Sequence, residues 1–406
     1  MQKLQTAKNI VTYLLLILLL FNLSVSGISN YSLSALILKI LSSGILLSVF
    51  FIHNRQKNES IKSFIKSTSV KHIVKVLIVI IFYLVVTVLY SSNPKYGTQK
   101  VISILVSIVP NIMVTYYLLT NSSSREYLLY FLHIISAGFL FTLLSIIIIQ
   151  PFDHSTVYQF SPFRWSHVFI ARTVSFLTLI VFLLLITTKE TKSIFFYSLI
   201  FITGLSITYL SGARAVIIGI VIFSTFGFLW QLYKKRITPN HLYSVVLIII
   251  SFIILVNLSP KQFETEQRFQ NMLKIDDGEF GGDGAILSRI QTYTLSLQMI
   301  KEKPIIGWGL GSFNGFNNLH WTTVQKYSHN IVLELLSETG AIGLLLFLFM
   351  CFKILKNIFS AEFLIFEQSS SIRIFLFITF FFSLFLAMFS KDISSQSLLW
   401  LFLIFL

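Results

Sequence analysis

Stretches of about 20 apolar residues recur along this chain, and a helix of that length crosses the roughly 30 Å hydrocarbon core of a bilayer. Twelve such spans are read near residues 10–28, 31–52, 73–91, 100–120, 127–149, 167–188, 193–210, 213–233, 241–258, 341–358, 372–390 and 395–406. The last is short for a full crossing. The first follows Lys3 and Lys8 but is long for a leader, and Val25-Ser26-Gly27 is a weak cleavage site, so it reads as a retained span. Charged residues make up 12% of the 406, against about 25% in soluble chains. That excludes a soluble enzyme and a disordered tail. Cys351 is the single cysteine, which leaves no internal disulfide and no thiolate metal cluster. The expected fold is all-α: a polytopic integral membrane protein of about 12 transmembrane helices.

Basic loops stay in the cytoplasm, so charge orients the chain. With the N-terminus inside, the cytoplasmic segments are the N-terminus, 53–72, 121–126, 189–192, 234–240 and 353–371 with their flanks. They hold 17 basic residues, among them Lys62, Lys66, Lys71, Lys234, Lys235 and Arg236, against Glu59, Glu126, Glu190, Glu362 and Glu367. An N-in, C-in topology follows. The net charge of +15 is thereby a consequence of orientation. No Lys/Arg cluster is interleaved with aromatics as a nucleic-acid groove would be, so no nucleic-acid partner is expected.

Three segments result: a transmembrane bundle over 1–258, a large external loop over 259–340, and spans ten to twelve over 341–406. The loop carries 7 basic and 9 acidic residues and is rich in glycine. An excursion of that length is commonly functional. Within it, Ile286, Ile290, Tyr293, Leu297 and Ile300 recur at helical spacing, with Asp283 as a cap and Pro304 past the end. Arg289, Thr292, Ser296 and Lys303 lie off that stripe. A second helix is expected from Ser328, its cap, to Gly340, with Ile331, Leu335 and Leu336 on its apolar side. Residues 276–284 read as a hinge, since their carboxylates lack EF-hand spacing. The run Gly307-Trp-Gly-Leu-Gly-Ser-Phe has no preceding strand and reads as a tight turn lying on the membrane surface.

Polar groups that topology does not require are the leads to chemistry. Arg214 opens span eight on the external side, where it opposes both the helix dipole and the positive-inside rule. Its guanidinium suits bidentate capture of a phosphate. Arg172 lies inside span six with Arg164 at its mouth, eight residues apart and on one broad side; a wet cavity, an anionic ligand or a structural partner such as Asp153 would account for them. Lys39 and Arg172 are read as the intramembrane charges. His329, placed at the first position of its helix, would be held neutral by the dipole and so fit a general base. Tyr327, Asn330 and Glu334 surround it in sequence. HExxH, CxxC, Walker and Gly-x-Ser-x-Gly patterns are missing, and no cofactor or metal is expected.

The loop reads Arg289-Ile-Gln-Thr-Tyr, then Lys303-Pro-Ile-Ile-Gly-Trp-Gly-Leu-Gly-Ser-Phe, then Ser328-His-Asn-Ile-Val-Leu-Glu-Leu-Leu-Ser-Glu-Thr-Gly-Ala-Ile-Gly, with Ser211-Gly-Ala-Arg214 upstream. This resembles the superfamily of O-antigen ligases and Wzy-type polysaccharide polymerases over roughly 205–350. The resemblance implies a metal-independent inverting glycosyltransferase at the outer face of the bacterial cytoplasmic membrane, acting on glycans carried by undecaprenyl diphosphate. It implies Arg214 and Arg289 on the donor diphosphate and His329 as general base, with Arg172, Arg164, Asn330, Glu334 and Tyr327 as further donor or acceptor contacts. The leading expectation is a repeat-unit polymerase for O-antigen or capsule, working beside a flippase and a chain-length regulator. A ligase moving glycan onto lipid A core or protein is the alternative, and a lipid-linked oligosaccharide flippase or other transporter is the alternative of another class. Polar chemistry gathered on one face favours an enzyme over the transporter.

Overall fold

In a computed structural model of the chain, the described residues are 18, 22, 33–56, 68–120, 167–211, 213–258, 275–276, 279–280, 284–320, 327–359, 370–389 and 392–405. They form α1 (Leu33–Gln56), α2 (Thr68–Val88), α3 (Pro94–Ser103), a π-helical turn (Ile104–Ile108) and α4 (Val109–Thr120). Next come α5 (His167–Leu185), α6 (Thr191–Leu210), α7 (Arg214–Tyr233) and α8 (Pro239–Leu258). The remainder comprises α9 (Gly284–Glu302), α10 (Ser312–His320), α11 (Ile331–Phe359) and α12 (Ser370–Ala387), then short helical turns over 393–405. Ile275–Asp276 and Glu279–Phe280 make one antiparallel pair within the segment read as a hinge.

Among the described residues, five helices are long and apolar enough to cross a membrane: Pro94–Thr115, Thr191–Leu210, Arg214–Tyr233, Pro239–Asn257 and Ile331–Phe359. Four shorter apolar helices, Ile37–Phe51, Val74–Val88, Ala171–Leu185 and Arg373–Ala387, join them. These coincide with predicted spans, and the chain is a multi-pass membrane protein. Predicted spans 10–28 and 127–149 lie outside the described residues save Leu18 and Asn22. The last predicted span is corrected: residues 393–405 fold as 3-10 and single-turn α segments, not as a continuous helix. At 1.5–2.0 Å per residue they reach about 20–25 Å. The segment starts from a polar group, Asp392 to Gln396, that is buried to within 3%.

Contacts divide the chain into two compact units. The first joins Met1–Tyr127, Ala285–Glu367 and Ala387–Leu406; the second joins Leu128–Gly284 and Gln368–Leu386. In the first, α2 and α3 meet at a corner the sequence specifies. Asn93 caps α3 by accepting from the Tyr96 N–H at 3.2 Å, and Pro94 takes the first helical position, where no N–H is needed. Behind that corner a polar layer crosses the core. Lys39 donates to Ser103 Oγ at 2.8 Å, Asn22 Nδ2 donates to Asn111 Oδ1 at 2.9 Å, and the Ser42 hydroxyl donates to Asn22 Oδ1 at 2.6 Å.

In the second unit, α7 packs through its small residues. A Cβ on Gly219 would come within 2.8 Å of the Phe385 ring, and one on Gly227 within 2.9 Å of Leu183. α8 leaves Ile249, Ile250, Ile253 and Ile254 each about half exposed, as a lipid-facing helix does.

The orientation has a direct test. Cysteines placed at Asn318 and Lys62 in a Cys351→Ser background are expected to react with an impermeant thiol reagent from opposite sides, Asn318 from outside. Labelling of Asn318 from the cytoplasm alone would reverse the topology.

Candidate active site

The first unit builds its site on α9. The helix starts at Gly284 and ends at Glu302, as the Asp283–Pro304 reading has it, although Asp283 itself lies outside the described residues. The face it buries is a different one. Leu295 and Met299 are buried with Thr292 and Ser296, whereas Leu297 of the predicted stripe is 51% exposed. The two hydroxyls tolerate burial because each bonds back along the helix, Thr292 to the Arg289 carbonyl at 2.9 Å and Ser296 to the Thr292 carbonyl at 2.8 Å. Leu295 and Met299 form a cluster with Phe313 and Phe316 of α10, a helix the sequence reading missed, and Trp308 packs onto it. Trp308 donates its indole N–H to the Met299 carbonyl at 3.1 Å and carries Lys303 over its ring at 3.9 Å.

The glycine run is the second component, and its expected role as a surface turn is corrected. α11 is two helices broken at Gly340, which sits at φ 69°, ψ −170°. Such a break frees carbonyls before it and N–H groups after it. Residues 304–309 take up both sets. Trp308 N–H donates to Ser337 O at 3.0 Å and Gly309 N–H to Glu338 O at 2.7 Å. Ala341 N–H donates to Pro304 O at 2.9 Å and Ile342 N–H to Ile305 O at 3.3 Å. The backbones come so close that a Cβ on Gly307 would stand 2.6 Å from the Glu338 carbonyl, and one on Gly309 2.5 Å from the Thr87 carbonyl. Gly307, Gly309 and Gly311 all have positive φ, which glycine adopts without strain. Tyr83 and Tyr90 of the α2 end donate to Thr339 O and Ile306 O, both at 2.7 Å.

This docking fixes the segment that carries His329. The cap of α11 is Asn330, not Ser328: its Oδ1 accepts from the N–H groups of Val332 at 3.0 Å and Leu333 at 3.2 Å. His329 therefore precedes the helix. It adopts a left-handed conformation, φ 58°, which costs a non-glycine residue about 1–3 kcal/mol. Ser328, fully buried, holds the turn by donating to the Asn330 carbonyl at 2.9 Å. Thr292 of α9 reaches the Ser328 carbonyl at 3.5 Å. α9 and the turn thus meet, with Arg289 one turn before Thr292. The Tyr327 and His329 rings are 4.3 Å apart between centroids.

Burial first, and then the Arg289 guanidinium, push the His329 imidazole down to about 4 from its usual 6.5. The sequence reading credited the helix dipole for a neutral imidazole. The neutral state stands; its cause is desolvation and a neighbouring cation. A strained, half-buried neutral imidazole beside a guanidinium can accept a proton from a hydroxyl while the guanidinium holds an anion.

Glu334 is placed differently from a substrate contact. It is 1% exposed, and its Oε1 stands 2.6 Å from the Lys100 ammonium while its Oε2 accepts from the Ile393 N–H at 3.0 Å. The same ammonium stands 2.7 Å from Glu338 Oε2, and Glu338 Oε1 accepts from the Phe313 N–H at 3.3 Å. Sequence reasoning missed this cluster by leaving Lys100 at the edge of a span. α3 in fact starts at Pro94, so Lys100 is nearly two turns inside. Glu334 and Glu338 at i, i+4 in an apolar helix were the readable signal.

In the second unit, Arg214 stands at the first position of α7, as read from sequence, and the structure shows it half-buried. Arg172 lies inside α5 and is 7% exposed. Arg164 and Asp153 fall outside the described residues.

Comparison with known proteins brings three of these residues under one heading. Residues 199–348 match the family model described as Wzy_C, O-antigen ligase, a range that contains Arg214, Arg289 and His329. A protein of Rickettsia conorii (strain ATCC VR-613 / Malish 7) that carries the name polysaccharide ligase is 37% identical over 73 residues, or 16% of this chain. The match covers 18% of that relative's length.

Proposed function

We propose, from the match of residues 199–348 to the O-antigen ligase family model, that this chain transfers a glycan from undecaprenyl diphosphate to an acceptor hydroxyl at the outer face of the bacterial cytoplasmic membrane. The observation that carries this reading is the strained His329 turn, docked on α9 beside Arg289 and holding its imidazole neutral. In the reaction the acceptor oxygen attacks the anomeric carbon and its proton passes to His329. The bond from that carbon to the diphosphate oxygen breaks, the electron pair leaves with the diphosphate, and the configuration inverts. Negative charge grows on the leaving group, where fixed guanidinium groups stabilise it directly. Arg289 is assigned there, with Arg214 as a second diphosphate ligand. This division of labour needs no divalent metal.

Arg214→Lys tests the diphosphate role. Charge is kept and the bidentate fork is lost, so transfer is expected to fall at least tenfold, about 1.4 kcal/mol. Full activity of both Arg214→Lys and Arg214→Ala at normal expression would remove Arg214 from the site.

The acceptor distinguishes a repeat-unit polymerase from a ligase. The polymerase reading comes from the sequence; the family description and the name of the Rickettsia relative favour the ligase. Deletion in cells separates them. Loss of a polymerase leaves single repeat units on the acceptor, whereas loss of a ligase leaves long glycan on undecaprenyl diphosphate and none on the acceptor.

A further inference from the structure

The first part of α11 is nine residues long, from Ile331 to the break at Gly340, and His329 is set just ahead of it. A helix this short is marginal by itself and takes its position from what grips it. Its start is capped by Asn330, and its end is pinned by residues 304–309. The middle is held by Lys100 of α3, which reaches both Glu334 and Glu338, one turn apart on the same face.

All three side chains are at most 1% exposed. Burying three charges costs several kcal/mol each, and such a cluster contributes little net stability compared with apolar residues of the same shape. What it supplies is geometry. Each carboxylate is engaged at both oxygens: Glu334 by Lys100 and the Ile393 N–H, Glu338 by Lys100 and the Phe313 N–H. One ammonium therefore ties α3, α11, α10 and the 393–405 turns to a single rotation and height of α11. Rotation by one residue would swing the preceding turn through about 100°.

We propose that Lys100, through Glu334 and Glu338, is a positioning residue for His329: it fixes the start of α11 so that the left-handed turn presents the imidazole beside Arg289. This rests on the assignment of His329 as the general base, and it adds residues that touch neither donor nor acceptor.

The test replaces the cluster with apolar residues, Lys100→Met/Glu334→Leu/Glu338→Leu, which removes every buried charge of the triad, at the cost of the acceptors of the Ile393 and Phe313 N–H groups. Activity is read with lipid-linked oligosaccharide extracted from cells lacking this chain. The expected result is a protein that accumulates, melting lower to the extent that the two N–H groups are left unpaired, with kcat reduced at least tenfold and KM for the donor within twofold. Its His329 resonance, followed by NMR, should titrate nearer the ordinary imidazole value than in the native protein. Glu338→Gln retains an acceptor for the Phe313 N–H and covers the case in which the triple variant fails to accumulate; a several-fold loss of kcat at unchanged KM is expected. Native kcat in either accumulating variant, with the His329 titration unmoved, would overturn the positioning role. Activity in His329→Gln would instead remove the base assignment itself, so the two failures are distinguishable.

Discussion

Replacing His329 with alanine is expected to lower glycan transfer by about 10²–10⁴-fold, the usual cost of removing a general base. The variant should still accumulate, because alanine fits within the space of the imidazole and keeps the same left-handed backbone at φ 58°. The pH profile gives the same residue a second signature. A base must be unprotonated to act, and in the free protein His329 stays so until pH falls to about 4. The acid limb of kcat/KM, which reports the free enzyme, is thus expected near 4 and not near 6.5. Donor diphosphate on Arg289 would offset the guanidinium charge that helps depress the imidazole, so the acid limb of kcat should lie higher. Coincident limbs at 6.5 in both parameters would mean that neither burial nor Arg289 acts on the base.

Gly340→Ala should be as damaging, for a different reason. Its φ of 69° and ψ of −170° lie in a region open essentially to glycine alone. A Cβ there would also run into the Ile305 carbonyl. Backbone strain of about 1–3 kcal/mol combines with loss of the bonds from Ala341 and Ile342 to residues 304–305. A destabilisation of about 3–5 kcal/mol is expected, read as loss of folded protein in the membrane or a thermal midpoint lowered by many degrees. By contrast Gly44, whose Cβ would meet nothing within 4 Å, should accept alanine with little change. Equal tolerance at both positions would show that the helix break does not need glycine.

The membrane character of the chain was legible because crossing a bilayer imposes a length and an apolar composition that any reader can count. The ends of α6 and α7 around Arg214 were equally local, whereas a span read from residue 100 missed the Asn93-Pro94 start of α3. The buried face of α9 was not legible. A helix at a membrane surface can expose Leu297 to an apolar medium and bury Thr292 and Ser296, so hydrophobic periodicity points to the wrong side. The glycine run misled in a related way. Positive φ at Gly307, Gly309 and Gly311 could be anticipated from composition, but the partner, a helix broken 30 residues later at Gly340, is a tertiary fact. The Lys100 cluster joins residues 234 and 238 positions apart, which no spacing rule connects. His329 was read as the first residue of its helix, but the cap belongs to Asn330 and His329 precedes it.

The most direct measurement is transfer by purified protein in excess EDTA, comparing the native chain with His329→Gln. Glutamine retains a hydrogen-bonding side chain at this position and cannot take up the proton. The donor is lipid-linked oligosaccharide from cells lacking this chain, with binding and product followed separately. The native protein is expected to turn over without divalent metal, while His329→Gln binds donor with native affinity and forms product at least a hundredfold more slowly. Native-level turnover by His329→Gln, or a native protein that works only when magnesium or manganese is restored, would contradict this expectation.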